Sequence, residues 1–598
     1  MYSEAVLYRI LSETPGTPLY PSIEDRAAWQ AVQTHPAAQL ALDLAAEAAG
    51  QPVPFLPATL YLDCDRTGNR LNYETPCHER RRRLTAMAIA ECLVNDGRYV
   101  DDMIDLIWAI CEESTWCTPA HAPSALPDVD DPYLELYGVG TSVTLCEIDH
   151  LLGDRLPAVV RKRIRYECNK RIIQPYLVRT DWWWHGGMRK TNNWNAVCNH
   201  GAAATTLHLC DDVMVQAQVL AKAIASVPNF LESFDEDGCS SEGAGYWGYG
   251  FGHYAALARH VYCRTEGKID LLEGERFVKI CRFPATLELS PGKFATFSDC
   301  DEDALVPAGV CEWLAAKCDA PALGALGRRH LERLVAERRA DYLLKALFLC
   351  DVTKAPLEGL PATAFYGGFQ WLISRAKPAS AHSLVLAAKG GHNAEDHNHN
   401  DVGQFIIHYQ GESLIVDLGR QNYTKQFFGP QRYEFLECRS FGHGVPVVNG
   451  VEQRDGLSYA SQLLRTEFEK DRDLMEIDMT GAYPAEAGLS SLKRRFALRR
   501  TYPHGLVEII DTFSFADGPG VFESRLHTFG TVEEAAPCYL RITGRNGAVL
   551  GVHIDGCTRV ELESVEPEAN SRWTAPLTRI RIIARGQSGQ VALRFTPE

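Results

Sequence analysis

The first part of the chain carries apolar residues at three- and four-residue spacing, with charged residues between them. This spacing is typical of amphipathic helices, and proline and glycine interrupt it between segments. The pattern predicts helices over Asp25–Ala49, Arg80–Glu113, Leu156–Tyr176, Val213–Phe230 and Leu323–Leu349. Helices that follow one another through short loops indicate an all-α domain rather than alternating βαβ units.

From about Ala362 the period changes to short segments rich in β-branched and aromatic residues, bounded by Gly, Asp, Asn or Pro. Such segments predict strands of an antiparallel sandwich. The predicted strands are Phe365–Ile373, Ser383–Ala388, Gly403–Tyr409, Ser413–Asp417, Leu474–Met479, Val507–Phe515, Thr578–Ala584 and Val591–Phe595. We therefore expect a helical domain over residues 1–360 and an antiparallel β-sandwich domain over residues 361–598.

Composition narrows the class of protein. A chain of 598 residues is expected to form more than one domain, and its net charge of −17 disfavours a nucleic-acid partner. No segment is long and apolar enough to predict a membrane span, and the N-terminus shows no basic and apolar leader. The 19 cysteines are scattered without CxxC pairs, which favours a reducing, cytoplasmic location. A periplasmic or secreted protein remains the alternative if a signal peptide has been removed. Oligomeric state stays open.

A histidine-rich segment holds the first candidate chemistry. His392, His397 and His399 lie within eight positions just before a predicted strand. Asp417 ends the following strand, so a hairpin would fold it back towards His399, and His443 precedes a later strand. Imidazole and carboxylate are suitable zinc ligands, so His399, Asp417 and His443 are a candidate metal set. The alternative is that these side chains only satisfy the backbone of turns.

Two further segments carry candidate site residues. Thr191–His200 places consecutive amides at the start of a small-residue helix, where they would act as caps or donate to a substrate carboxylate. Trp194 in that segment offers a flat face to a sugar. Asp237–His253 alternates glycines with aromatics, which indicates either a helix contact or aromatics presented to a ligand. In the second case Tyr246 or Tyr249 would transfer a proton.

Four motifs in order resemble the heparinase II/III superfamily of polysaccharide lyases. They are NNWNAVCNHG, EGAGYWGYG, HNHNDVGQFIIHYQGESLIVDLG and SFGHGVPVVNG. The resemblance implies a multidomain α+β protein, with an N-terminal incomplete (α/α) toroid followed by a C-terminal antiparallel β-sandwich. It also implies β-elimination of a 4-linked uronic-acid-containing glycan, with a glycosaminoglycan as the expected substrate.

The resemblance further implies roles for individual residues. Asn192 or Asn193 and His397 would address the sugar carboxylate, and Tyr246 would transfer the proton, with Tyr249 in reserve. Zinc on His399, Asp417 and His443 would brace the loop that carries His397, a structural rather than catalytic role. The expected substrate contacts are Trp194, Glu242, Arg189 and Arg439, and Arg420 is a further candidate contact to sulfate or carboxylate.

This sequence departs from several members of the superfamily, which place a histidine at the amide position and use it as a base. We therefore expect Tyr246, or Tyr249, to make both proton transfers on a glucuronate-type residue in a syn elimination. His185 and His200 lie nearby in sequence and are alternative bases.

Three other functions remain open at this point. The first is a lyase whose substrate is alginate or another polyuronate. The second is a zinc-dependent glycan hydrolase, in which the metal activates water. The third is a carbohydrate-binding protein without turnover.

Overall fold

The computed structural model describes residues 2–186, 191–340, 342–351, 360–378, 380, 382–424, 426–427 and 429–598. The chain forms two compact units. Unit 1 comprises Met1–Ser233, Tyr246–Phe277 and Leu305–Pro356, and unit 2 comprises Phe234–Gly245, Val278–Ala304 and Leu357–Glu598. Two segments from the first 360 residues, 234–245 and 278–304, thus belong to unit 2.

Helices form in every segment where the apolar spacing predicts one, although the segment Leu323–Leu349 holds two helices rather than one. Further helices lie outside these segments, and most of the helices belong to unit 1. In chain order they are α1 Glu4–Glu13, α2 Arg26–Ala31, α3 Pro36–Ala48, α4 Ala58–Thr67, α5 Leu71–Val94, α6 Val100–Glu112, α7 Leu136–Leu152, α8 Ala158–Cys168, α9 Gln174–Val178, α10 Asn193–Leu209, α11 Val213–Ser226, α12 Pro228–Leu231, α13 Gly243–Tyr246, α14 Gly252–Arg264, α15 Glu275–Thr286, α16 Ala308–Lys317, α17 Pro321–Ala336 and α18 Leu343–Leu349. Among the described residues, no helix combines the length and apolar character needed to cross a membrane.

The long predicted helices are divided in the structure. The single helix predicted over Arg80–Glu113 is wrong, because α5 ends at Val94 and α6 begins at Val100. Asn95, with φ of 56°, adopts the left-handed conformation that terminates many helices. The helix predicted over Asp25–Ala49 is likewise two helices, and α3 starts afresh at Pro36, a residue favoured in the first turn.

Helix α10 is buried on nearly every side and forms the middle of unit 1. It packs against α7, α11 and α14. A Cβ added at Gly201 would lie 2.3 Å from Cβ of Val139 in α7, so the two helices approach more closely there than a side chain would allow. The small residues of α10 therefore permit tight helix packing and fix where its N-terminus lies.

Unit 2 consists mainly of antiparallel strands. In chain order they are β1 Glu288–Ser290, β2 Lys293–Phe294, β3 Thr363–Tyr366, β4 Trp371–Arg375, β5 Val385–Lys389, β6 His392–Asn393, β7 Phe405–Tyr409, β8 Glu412–Ile415, β9 Val447–Val448, β10 Gly456–Ala460, β11 Gln462–Phe468, β12 Arg472–Asp478, β13 Leu489–Arg499, β14 Leu506–Phe515, β15 Gly520–Thr528, β16 Thr531–Ala536, β17 Tyr539–Thr543, β18 Val549–Asp555, β19 Arg559–Val565, β20 Leu577–Gly586 and β21 Ser588–Pro597.

Three sheets carry most of these strands. Their strand orders are β11-β12-β13-β14-β21-β18-β17-β16, β19-β20-β15-β9 and β3-β4-β5-β7-β8. One apolar core joins all three sheets, with Phe496 and Ile407 among its fully buried side chains. The strand predicted over Phe365–Ile373 is wrong, because Gly367 and Gly368 turn the chain between β3 and β4, which pair with each other.

Candidate active site

In unit 1, the NNW motif begins α10, and Asn192 is its N-cap. The Asn192 Oδ1 atom accepts a hydrogen bond of 3.1 Å from the backbone N–H of Trp194. The capping interpretation of the sequence is therefore correct for Asn192. The cap uses only the side-chain oxygen of Asn192, so the amide nitrogen of the same side chain can still donate a hydrogen bond. Asn192 is partly exposed, whereas Asn193 is buried.

Trp194 is half-buried and lies among other rings. Its ring centroid is 4.8 Å from that of His121 and 5.0 Å from that of Trp183. Nδ1 of His121 lies 2.6 Å from Oε2 of Glu135, which fixes the imidazole. Trp194 is thus part of a group of aromatic rings. His121 and Trp183 also belong to this group, and neither was identified from the sequence.

The glycine-rich motif forms α13, a π-helical turn over Trp247–Phe251, and the start of α14. A Cβ added at Gly250 would lie 2.9 Å from Cζ of Phe230 and 3.1 Å from Cβ of Asn193. Glycine therefore allows this turn to pack directly on the start of α10. As a result, unit 1 places the part of the glycine-rich motif from Tyr246 onwards beside the NNW motif.

The two candidate phenols differ in their surroundings. Both Tyr246 and Tyr249 are partly exposed, and the Tyr249 ring lies 5.3 Å from that of His253. Burial, together with the nearby Tyr342 and Glu135, raises the pKa of Tyr249 well above the ordinary value of a phenol. The raised pKa disfavours the phenolate form of Tyr249, which is the form that could accept a proton.

The alternative bases near the NNW motif are neutral. Nδ1 of His200 lies 2.9 Å from Nδ1 of His253, and His200 is buried. Burial lowers the pKa of His200 well below its usual value, lowers the pKa of His253 to about 3, and lowers the pKa of His185 to about 4. Arg189, the predicted substrate contact in this region, lies outside the described residues.

In unit 2, His397 lies in the loop between β6 and β7 and adopts a left-handed backbone conformation with φ of 57°. Its Nδ1 lies 2.5 Å from Oδ2 of Asp299, and its Nε2 lies 3.4 Å from Oε1 of Glu242. Burial would lower the pKa of His397, but the hydrogen bond to Asp299 and the charge of Glu242 outweigh it and raise the pKa. His397 thus donates to Asp299 from Nδ1, and the raised pKa favours its cationic form.

Asp299 connects this histidine to the candidate metal loop. Its Oδ1 lies 3.1 Å from Nε2 of His399 and 3.0 Å from Nη2 of Arg432, and its Oδ2 accepts a 3.3 Å hydrogen bond from the hydroxyl of Tyr423. Burial alone would raise the pKa of Asp299, but the hydrogen bonds from His397 and His399 lower it strongly. Asp299 is therefore a buried carboxylate with four donors.

The predicted metal set comes together in unit 2. His399, Asp417 and His443 are buried, and one ligand atom from each lies within 4.8 Å of the others. Nε2 of His443 lies 2.9 Å from the backbone carbonyl of Glu437, which can only accept, so Nε2 donates to it, and Nδ1 lies 3.2 Å from Oδ2 of Asp417. Burial would lower the pKa of His443, but the charge of Asp417 raises it, so a metal ion bound at this position would replace the proton on Nδ1. Nε2 of His399 faces Asp299 in the same way, and Nδ1 of His399 is buried without a hydrogen-bond partner among the described residues. Two imidazole lone pairs and a carboxylate fit a metal ion, with the outer hydrogen bonds that orient metal-binding histidines.

The remaining predicted contacts have protein partners within unit 2. Glu242 is buried and faces His397, as described above. Nε of Arg439 lies 3.2 Å and 3.1 Å from the two carboxylate oxygens of Glu452. Sequence reasoning missed Asp299, Arg432 and Tyr423, because no local spacing connects them with the histidine loop.

No protein-family model matches this chain, and no curated protein matches it. Solved structures do share its fold. Heparinase III has a TM-score of 0.61 at 12% identity, with 98% of this chain and 93% of that chain covered. The heparan sulfate lyase HepC from Pedobacter heparinus has a TM-score of 0.57 at 12% identity, covering 99% and 92%. A chondroitin AC lyase from Streptomyces coelicolor A3 has a TM-score of 0.50 at 11% identity, covering 99% and 82%.

At these identities the likeness establishes the fold. The resemblance seen in the four motifs is confirmed at that level, and so is the predicted fold class. The chain has the fold of the heparinase and chondroitin lyases, an α/α toroid followed by an antiparallel β-sandwich.

Proposed function

We propose that this protein is a polysaccharide lyase that cleaves 4-linked uronic-acid-containing glycans, with a glycosaminoglycan as the substrate, by β-elimination. The observation that carries the proposal is the placement of His397. Its Nδ1 is bound to the buried carboxylate of Asp299 beside a candidate metal set, in a fold shared with heparinase III. A cationic donor is what the carboxylate of a uronic acid requires before the neighbouring C5 proton can be removed.

The first task of the site is to neutralise the sugar carboxylate. In our proposal His397 donates to it from Nε2, because Nδ1 is committed to Asp299. The amide nitrogen of Asn192 or Asn193 donates to the same carboxylate. Both donors stabilise the negative charge that develops when the C5 proton leaves.

The second task is proton transfer. Tyr246, once it has lost its own proton to water, takes the C5 proton; the C4–C5 double bond forms, and the bond from C4 to the leaving oxygen breaks. The same phenol then returns the proton to that oxygen, which completes a syn elimination and regenerates the phenolate. We assign this role first to Tyr246 and keep Tyr249 in reserve, because burial raises the pKa of Tyr249 and so disfavours its phenolate form.

His399, Asp417 and His443 would hold zinc in this proposal, since imidazole nitrogens and a carboxylate are among its preferred ligands. When bound, zinc would supply a fixed link between the histidine loop and the segments that carry Asp417 and His443. Asp299 then fixes both His399 and His397, so the loop presents His397 in one orientation.

The test is an assay of heparan sulfate, chondroitin, hyaluronan and alginate for the unsaturated uronide, which absorbs in the near ultraviolet. We expect absorbance to rise with at least one glycosaminoglycan. New reducing ends without absorbance would instead identify a hydrolase, and binding without either product would identify a carbohydrate-binding protein. Parallel assays after chelation should show activity declining together with thermal stability, because the metal has a structural role.

A further inference from the structure

Two arginines of unit 2 share one carboxylate at a partly exposed position. Nη2 of Arg420 lies 2.8 Å and Nη1 of Arg572 lies 3.1 Å from Oδ2 of Asp301. The side chains are 18%, 38% and 23% exposed for Arg420, Arg572 and Asp301, respectively. Two guanidinium groups thus share the single carboxylate of Asp301.

The segments that carry the two arginines are fixed to each other. The backbone N–H of Asn422 donates to the carbonyl of Asn570 at 2.8 Å. The Ser571 hydroxyl and the Trp573 indole N–H both donate to Oε1 of Glu437, at 2.6 Å and 3.1 Å. The backbone carbonyl of the same Glu437 orients His443. The arginine pair is therefore attached to the framework of the candidate metal centre.

A line of contacts connects this pair with His397. The guanidinium of Arg420 lies 4.5 Å from the ring centroid of Tyr423. The Tyr423 ring lies 6.4 Å from that of His397, and its hydroxyl donates to Asp299. The ring of Tyr423 thus lies next to both Arg420 and His397, which places the arginine pair in the neighbourhood of the histidine.

We propose that Arg420 and Arg572 form an anion-binding subsite for a sulfate or carboxylate on the sugar next to the one that is cleaved. The inference rests on the proposed lyase function, which it extends to the substrate. Guanidinium binds such groups through paired hydrogen bonds, and Asp301 orients both side chains before the ligand arrives. Arg572 uses only part of its donor set on Asp301, and Trp573 beside it is partly exposed and offers a sugar an aromatic face.

The test compares Arg572→Gln with Arg585→Gln, the same substitution at an exposed arginine of β20. Both substitutions are made in full-length Tyr246→Phe protein, which cannot make the proposed proton transfer and so does not cleave the ligand. Each protein is titrated calorimetrically with size-defined oligosaccharides of heparan sulfate, chemically desulfated heparan and hyaluronan. Arg572→Gln should weaken binding about tenfold through the loss of a charge-assisted hydrogen bond, and Arg585→Gln should leave it unchanged. Arg420→Gln should give a loss of similar size, and circular dichroism of each variant shows whether the fold is retained.

The outcomes separate the two proposals. A loss confined to the sulfated oligosaccharide identifies a sulfate site, and an equal loss for hyaluronan identifies a carboxylate site. Unchanged affinities in Arg572→Gln and Arg420→Gln overturn the subsite even if the wild type produces unsaturated uronides. A loss of affinity in a protein without elimination activity supports the subsite and rejects the lyase. If none of the oligosaccharides binds to the starting protein, both proposals are rejected.

Discussion

The candidate residues of unit 1 and unit 2 are held in place by different forces. In unit 2, charge fixes His397, because its Nδ1 binds the carboxylate of Asp299. In unit 1, Asn192 is fixed by a neutral helix cap, and the glycine-rich turn is fixed by close packing at Gly250. The unit 2 group is therefore organised for electrostatic stabilisation, and the unit 1 group presents neutral amides and phenols.

Backbone strain accompanies the charged hydrogen bonds of unit 2. His397 and Ser298, the residue before Asp299, both adopt left-handed conformations with φ of 57° and 58°. For residues other than glycine this conformation costs on the order of 1 kcal/mol. In unit 1 the N-cap Asn192 has an ordinary extended backbone. The charged hydrogen bonds of Asp299 offset this conformational cost. These bonds therefore determine the conformation of the loop that carries His397.

The largest effect is expected from the phenol of the neutral group. Tyr246→Phe should lower kcat about 1,000-fold, because one group makes both proton transfers in the proposed reaction. Tyr249→Phe is the matched control and should lower kcat less than about tenfold, since its role is confined to packing and hydrogen bonding. The measurement is the initial rate of ultraviolet absorbance on the best glycosaminoglycan. A reversed order of the two variants would move the catalytic role to Tyr249.

The charged group is tested by Asp299→Asn, which keeps the size of the side chain and replaces one acceptor oxygen with a donor. The imidazole protons of His397 and His399 then compete for a single acceptor. We expect kcat to fall about 100-fold and zinc affinity, measured by chelator competition, to fall about 10- to 100-fold. Asp517→Asn, the same substitution at an exposed position, is the control. Wild-type zinc affinity in Asp299→Asn would show that His399 is oriented without this carboxylate.

The sequence predicted the neutral group better than the charged one, for a physical reason. Helix caps and glycine-permitted turns are local, so Asn192 and the Gly-rich motif are recognisable from neighbouring residues. The metal set was also accessible, because the hairpin of β7 and β8 returns the chain from His399 to Asp417. In the fold, the helical and β regions followed from residue spacing, while the division of α5 and α6 at Asn95 depended on one backbone conformation.

Asp299 was not predictable in this way. It lies 98 residues before His397, and the segment around it carries no periodic or motif signal. Its importance arises only after the strands of unit 2 have assembled and buried it beside two imidazoles. The sequence positions of the residues that contact such a carboxylate do not indicate that they meet in the fold.

Removing the metal separates the structural role of the candidate ion from the role of His397. His443→Ala should abolish stoichiometric zinc binding and leave the buried Asp417 without its imidazole partner, which costs about 3–5 kcal/mol of unfolding free energy. At low temperature, where the variant is still folded, kcat should fall only about tenfold, because His397 keeps Asp299 as its partner. Metal analysis, denaturant unfolding and initial rates measure these effects. A total loss of activity in folded protein would point to a direct catalytic role for the metal.

The smallest effect is expected at the helix cap, where two substitutions of Asn192 separate stability from chemistry. Asn192→Ala removes the acceptor for the Trp194 N–H and should cost about 1 kcal/mol of unfolding free energy. Asn192→Asp keeps that acceptor and places a negative charge at a helix N-terminus, so stability should be maintained. It also removes the amide donor and repels the substrate carboxylate, so kcat/KM should fall about tenfold or more if Asn192 is the donor. Full activity in Asn192→Asp would assign the amide role to Asn193, whose buried side chain lies against Gly250.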